Sequence, residues 1–314
     1  MENVVFVPST PDSEWVCDVL PGTSPAELPV AGRRFIDYEL EAARRFDIVL
    51  IEVLDWLYSD TLRNEYSDLT RTGCALFYNR GEGPQPKGLN ALKGYPSPLT
   101  QNMPDNLIVL WGLCLPCHMP GYSRLEPLPP EECETTPPGI YRWVSGKWMR
   151  VLPQGFVARD VRSWFTLNMG VLNDPGEFTL PGYSAEKGVY LGRSVVLEHG
   201  TDVKAPVLLQ DNSWCARNVR IDGNVIVGCR SYVGEGARLE RTVVCDDTYI
   251  GPGLELTGKI VAGRRIIDPS SGVWTDIEDP GVARSIRSIE DFSPFGWLRS
   301  LWRFLQGRSK GRRR

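Results

Sequence analysis

The sequence predicts an α/β domain followed by an all-β solenoid of short parallel strands. Two observations carry that prediction. Toward the C-terminal end every sixth residue from Leu191 is apolar: Leu191, Leu197, Val203, Leu209, Cys215, Ile221, Val227, Val233 and Leu239. Near the start, residues 4–7 read as a buried strand, 36–45 as a helix with Ile36, Leu40 and Ala43 on one face, and 48–53 as a second strand. Strand, helix, strand is the order of a parallel βαβ unit.

The first half continues as α/β. Glycines and prolines crowd residues 81–104, a loop-rich stretch, and 107–111 form another apolar strand. The prolines of 127–138 mark an excursion or linker. Residues 139–144 and 147–152 suit a hairpin turning at Ser145-Gly146, and a helix around 163–172 leads into the solenoid.

A period of six fits neither an amphipathic helix nor an ordinary hairpin sheet. Two residues ahead of each apolar position runs a second series of small or β-branched residues: Val189, Val195, Thr201, Val207, Ser213, Val219, Val225, Ser231 and Ala237. Each six-residue unit makes one strand and one turn. Coils must stack, because a single coil cannot bury its inner face. After Leu239 the register slips by one residue and resumes at Val244, Ile250 and Leu256. Gly192, Gly228, Gly234 and Gly251 follow inward aliphatics where corners turn, and Asn212, Asn218 and Asn224 suit turns. The pattern resembles the hexapeptide-repeat family, whose fold is a left-handed parallel β-helix. At 18 residues per coil, residues 189–262 make roughly four coils. Its flat faces and open ends suit homo-oligomer formation.

Composition excludes several classes. The 314-residue chain carries −4, and seven basic residues after residue 292 carry +7, so the first 292 residues carry −11. That balance argues against nucleic acid as a partner. No run of 18 apolar residues occurs, and the N-terminus lacks a basic segment followed by an apolar core. These predict a cytoplasmic chain with its eight cysteines reduced.

Leu28-Pro29-Val30-Ala31-Gly32-Arg33-Arg34-Phe35-Ile36-Asp37-Tyr38, and Asp160-Val161-Arg162-Ser163-Trp164 with Asn168 and Val171-Leu172 beyond, resemble segments of the sugar-nucleotide pyrophosphorylases. The resemblance covers residues 3–267. It implies a nucleotidyltransferase-like, Rossmann-like α/β domain over 1–180, a left-handed β-helix over 187–268 and a C-terminal extension over 269–314. It also implies an NTP or nucleotide sugar as ligand.

What that family uses for chemistry is largely missing. Its first strand enters a Gly-Gly-x-Gly-x-Arg loop whose amides approach phosphate. Here the strand enters Pro8-Ser9-Thr10-Pro11-Asp12-Ser13. The family's Pro-Lys pair becomes Pro25-Ala26, and its Gly-Asp metal ligand becomes Gly112-Leu113. Of two metal aspartates, Asp160 remains, as the remnant catalytic and metal residue. Ser9, Thr10, Arg33, Gly112 and Asp160 are the residues placed to meet nucleotide or sugar, and Arg34 or Lys87 would supply further charge. Phosphoryl transfer rests on stabilising phosphate charge, so the expectation is a degenerate, non-catalytic nucleotide-sugar-binding regulator or scaffold in polysaccharide and cell-envelope sugar metabolism. Mg²⁺ is implied only if nucleotidyl transfer is retained by altered motifs. A second alternative is acyl transfer, as in other hexapeptide proteins, with His199 as its base.

Two further features stand apart. Cys114-Leu115-Pro116-Cys117-His118 has metal-ligand spacing, with Cys133 the nearest further ligand, but buried thiols explain it more simply. In the tail, Phe295, Leu298, Leu301, Trp302 and Leu305 recur at helical spacing, beside Trp297, Arg299 and Arg303. Such a helix would meet an anionic membrane surface at the inner face, a partner, or the chain's own N-terminal domain.

Overall fold

The computed structural model describes residues 2–45, 48–57, 59–66, 75–115, 124–152, 155–176 and 178–286. Cys117, His118 and the basic tail, with Trp297, Leu298, Arg299, Leu301, Trp302 and Arg303, lie outside the described residues. Among the described residues no helix is long and apolar enough to cross a membrane. The chain divides into two compact units, one running to Leu180 and including Pro269–Gly272, the other Pro181–Asp268 and Val273 onward.

The first unit is built on a seven-stranded mixed sheet. Its strands are β1 (Glu2–Val7), β2 (Ile48–Asp55), β3 (Ala75–Arg80), β4 (Ile108–Trp111), β5 (Arg124–Pro127), β6 (Gly139–Val144) and β7 (Lys147–Leu152). They lie in the order β3-β2-β1-β4-β6-β7-β5. The first four are mutually parallel and the last three antiparallel. Val4, Val5, Phe6 and Val7 are all buried, as expected of a parallel strand covered on both faces. Val5 and Val7 pack with Val109, Trp111, Tyr141 and Trp148 on one face. Phe6 on the other stacks on Phe35, centroids 6.3 Å apart. Ser145 and Gly146 turn the β6–β7 hairpin with φ of 48° and 80°. That is the left-handed pair a tight two-residue loop requires.

The proline-rich stretch 127–138 is not a linker. Arg124–Pro127 pairs with β7, Pro130–Glu134 is a helix with proline in its first turn, and Leu128 and Cys133 belong to the core. Proline is tolerated at an edge strand and at a helix start because neither needs its missing N–H.

Helix α1 (Phe35–Arg45) buries more than the single face its pattern suggested: Phe35, Ile36, Tyr38, Glu39, Leu40 and Ala42 are all inside. Glu39 is 3% exposed, and neither carboxyl oxygen has a hydrogen-bond partner among the described residues. Burial pushes its pKa well above the ordinary carboxyl range. An acid with a raised folded pKa leaves stability unaffected below its unfolded pKa, about 4.3, and lowers it as pH climbs toward the folded value. Glu39→Met should therefore remove a decline in stability between pH 5 and pH 8. Urea midpoints at the two pH values check this, and an equal decline in wild type and variant would contradict it.

The second unit consists mainly of three parallel ladders, an arrangement consistent with a β-helix. Val189, Val207 and Val225 align, as do Val196, Trp214 and Tyr232, and Asp202, Arg220 and Arg238, each step being 18 residues. The next step along the ladders is 17: Tyr232 meets Tyr249 and Leu239 meets Leu256. This is the slip visible in the sequence after Leu239. A second slip, not read from the sequence, follows Leu256: Val243 meets Ile260 and Val244 meets Val261.

Turns explain both slips. Residues with positive φ recur six apart at Asn212, Asn218, Asn224, Arg230 and Gly236. The step shortens to five at Arg241, returns to six at Asp247 and Gly253, and shortens again at Gly258. The corner glycines play a different part from the one expected. Gly192, Gly228, Gly234 and Gly251 do not have positive φ. At Gly234 an added Cβ would lie 2.6 Å from the Gly251 carbonyl carbon, and at Gly251 2.2 Å from the Gly281 carbonyl oxygen. They are glycine because the next layer of backbone passes too close for any side chain. The ends differ: Val227, Val233 and Leu239 are fully buried, whereas Leu197, on the first strand of its ladder, is 43% exposed.

Candidate functional site

In the seven-stranded sheet, β1 leads outward through β2 to β3, while β4 lies on the other side of β1. The order therefore reverses between β1 and β4. Ligands of open α/β sheets bind outside the carboxyl ends at such a reversal. Pro8-Ser9-Thr10 follows β1 and Gly112 follows β4, so the structure brings three of the expected residues to one place.

Gly112 donates its N–H to the Val7 carbonyl at 2.9 Å and adopts φ +68°. A Cβ on it would sit 2.9 Å from Pro138 Cβ and 3.3 Å from Thr10 Oγ1. Thr10 is fully buried, and its hydroxyl has no hydrogen-bond partner among the described residues. The loop after β1 is closed on itself. Ser13 Oγ accepts from Thr10 N at 2.9 Å and lies 2.7 Å from the Pro8 carbonyl oxygen, while Ser13 N donates to the Thr10 carbonyl at 2.9 Å. Glycine amides would approach a phosphate in the family's loop; here Thr10 and Ser13 amides serve the loop itself.

Ser9 is drawn into a cluster the sequence did not reveal. Its hydroxyl donates to Asp55 Oδ1 at the carboxyl end of β2. Ser24 Oγ and Tyr78 OH reach Asp55 Oδ2 at 2.7 and 2.6 Å, and Leu57 N reaches Oδ1 at 3.0 Å. Asp55 is fully buried. Burial and the neighbouring carboxylate hold the Tyr78 phenol above its usual range. One acid thus ties together the β1 loop, the segment at Ser24 and the ends of β2 and β3. The available signal was an acid closing an apolar run, in Val53-Leu54-Asp55.

Asp160 is the N-cap of helix α2 (Val161–Asn173). Its Oδ1 accepts from Ser163 N and from Ser163 Oγ, both at 2.7 Å. Partial burial works to raise its pKa, but the Ser163 hydrogen bonds and nearby Arg162 outweigh it and lower the pKa. The chain brings α2 toward β4 through Phe156–Val157, which pairs with Cys114–Leu115, and through Ala158 N, which donates to the Leu113 carbonyl at 2.8 Å. No acid follows Gly112, and among the described residues no group of three or more His, Cys, Asp or Glu could hold a metal ion. One carboxylate engaged in a helix cap does not fit the paired-aspartate Mg²⁺ site that the resemblance implies.

The two stretches that carried the resemblance meet. Asn168 Oδ1 accepts from Ala31 N at 2.8 Å, and Trp164 Nε1 donates to the Pro29 carbonyl at 2.6 Å. Arg33 lies apart from the Ser9 cluster in its contacts: it pairs with Glu41, donates to the Asp37 and Thr179 carbonyls and lies over the Tyr38 ring. Arg34 makes a two-pronged pair with Glu65 at 2.8 and 2.6 Å. Lys87 is exposed, and so is His199, in a turn where its carbonyl accepts from Asn218 N. Cys114, Cys133 and Cys215 are buried.

No protein-family model matches the chain. Over 100 residues it is 27% identical to UTP–glucose-1-phosphate uridylyltransferase of Synechocystis sp. (strain ATCC 27184 / PCC 6803 / Kazusa), covering 32% of this chain and 26% of that protein. The match thus spans about a quarter of the relative's length. It supports a sugar nucleotidyltransferase-like relationship and nothing finer.

Proposed function

We propose that this chain is a nucleotidyltransferase-like protein that does not catalyse nucleotidyl transfer, and that it acts as a nucleotide-sugar-binding regulator or scaffold in polysaccharide and cell-envelope sugar metabolism. One observation carries the reading: the loop after β1 spends the Thr10 and Ser13 amides on internal bonds and its Ser9 hydroxyl on Asp55. A loop so closed has little left to offer a triphosphate, whose transfer depends on donors and cations around the phosphoryl oxygens. The helix-capping role of Asp160 and the leucine after Gly112 support the same reading.

The second unit is proposed to close as a left-handed β-helix that mediates self-association. In support, the inward residue Leu197 and its neighbour Val196 are 43% and 36% exposed at the first coil, an apolar end that a second copy would cover.

Calorimetric titration of the full chain with UTP and UDP-glucose, with and without Mg²⁺, tests the proposal alongside pyrophosphate release from UTP and glucose 1-phosphate. Binding without release is the expected result for a regulator, and neither binding nor release for a scaffold. Release would restore the enzyme.

A further inference from the structure

On the outer edge of the same sheet lies an open cavity of about 410 Å³. Its walls come from the end of β3 (Phe77, Tyr78, Asn79, Arg80), from Arg63 and Glu82, and from the turn at Tyr95-Pro96-Ser97-Pro98. The volume falls in the range that holds small ligands. We propose that this cavity binds a small phosphomonoester with a ring-shaped body, at a site separate from the β1–β4 crevice.

Charge is the first ground. Arg63 and Arg80 are exposed, and neither has an ion-pair partner among the described residues. This contrasts with Arg33, Arg34 and Arg150, which pair with Glu41, Glu65 and Glu132. Among the described lining residues Glu82 is the one acid beside Arg63 and Arg80, so these residues together carry a net positive charge. A guanidinium presents a planar fork of donors that matches two oxygens of a phosphate.

Apolar surface is the second. Phe77 is 46% exposed on β3, the edge strand of the sheet, and Tyr95 also lines the cavity. A large aromatic left in water on a sheet edge is a liability unless something covers it. A ring lying against Phe77 and Tyr95 would do so, with its phosphate toward the arginines and its hydroxyl groups toward Asn79 and Glu82.

Rigidity is the third. The buried Glu52 carboxylate accepts from Asn79 Nδ2 at 2.7 Å, Ser97 Oγ at 2.9 Å and Leu99 N at 3.2 Å, fixing two walls to each other. Tyr78 is held by Asp55, and the Tyr95 hydroxyl accepts from the Glu82 amide. Trp56 backs Tyr95 at 5.5 Å between centroids. Its ring occupies the space a Cβ on Gly81 would need. Walls fixed before binding lose little entropy when a ligand arrives.

Calorimetric titration of the full chain with phenyl phosphate and with inorganic phosphate tests the site. Phenyl phosphate should bind at least tenfold more tightly than inorganic phosphate. Arg63→Ala and Arg80→Ala should each weaken phenyl phosphate at least fivefold, and Phe77→Ser should remove the advantage of the ring while leaving inorganic phosphate unchanged. All three side chains are exposed, and circular dichroism of each variant guards against misfolding. Absence of phenyl phosphate binding at millimolar concentration, or undiminished binding in the doubly substituted Arg63→Ala, Arg80→Ala protein, overturns the proposal. Either result leaves the non-catalytic reading intact, since that rests on the loop after β1.

Discussion

Asp55→Ala is expected to lower the stability of the first unit by roughly 3–5 kcal/mol, the scale set by breaking a buried hydrogen-bond network around a charged acceptor. The substitution removes the acceptor shared by Ser9, Ser24, Tyr78 and the Leu57 amide. Ser9 and Ser24 are almost wholly buried, so their hydroxyls cannot turn to water for compensation. The four donors come from segments far apart in sequence, and losing their common partner loosens the carboxyl edge of the sheet as a whole. Asp55→Asn keeps an acceptor oxygen but loses the charge, and should cost less than alanine. Urea unfolding followed by tryptophan emission reports on this unit through the fully buried Trp111 and Trp164. A loss below about 1 kcal/mol, the size of one ordinary hydrogen bond, would show that the cluster does not hold the edge together.

In the second unit, two leucines of one sequence series should respond very differently. Leu239→Ala empties a position that is fully buried, flanked above and below by Ile221 and Leu256. It should cost about 2–5 kcal/mol, the range for a leucine removed from a core that cannot collapse. In the single chain Leu197→Ala removes the same atoms from a site 43% exposed, and should cost under about 1 kcal/mol at protein concentrations too low for self-association. The periodicity alone makes the two equivalent; only their place in the stack separates them. Thermal or urea unfolding followed by far-ultraviolet circular dichroism measures both. Equal losses would mean that the first coil is as well covered as the middle ones.

The repeat was legible because its period is written in side chains that must face inward at each coil. The slip after Leu239 could be read from the same series, since Val244, Ile250 and Leu256 resume it. The second slip, before Val261, falls where the series has too few members left to define a register. The corner glycines show a different limit. Sequence identifies a residue that tolerates no side chain, but Gly234 and Gly251 exclude one because another layer of backbone lies against them, and that is a long-range fact.

At the candidate site, Ser9, Thr10 and Gly112 could be placed because two apolar strands end just before them and parallel topology sets those ends side by side. Asp55 could not, because nothing local says that Ser9, Ser24 and Tyr78 converge on it. The charge of Arg33 and Arg34 suggests a place at the site, but the structure pairs Arg33 with Glu41 and Arg34 with Glu65, tertiary contacts invisible in the local pattern.

The most direct test is pyrophosphate release from UTP and glucose 1-phosphate by the full chain, with Mg²⁺ present. With the β1 loop closed and one carboxylate remaining, release should be indistinguishable from that of a protein-free control. Turnover at roughly 1 s⁻¹ or faster, in the range of ordinary enzymes, that is abolished by Asp160→Ala would contradict the non-catalytic reading and make Asp160 a catalytic residue.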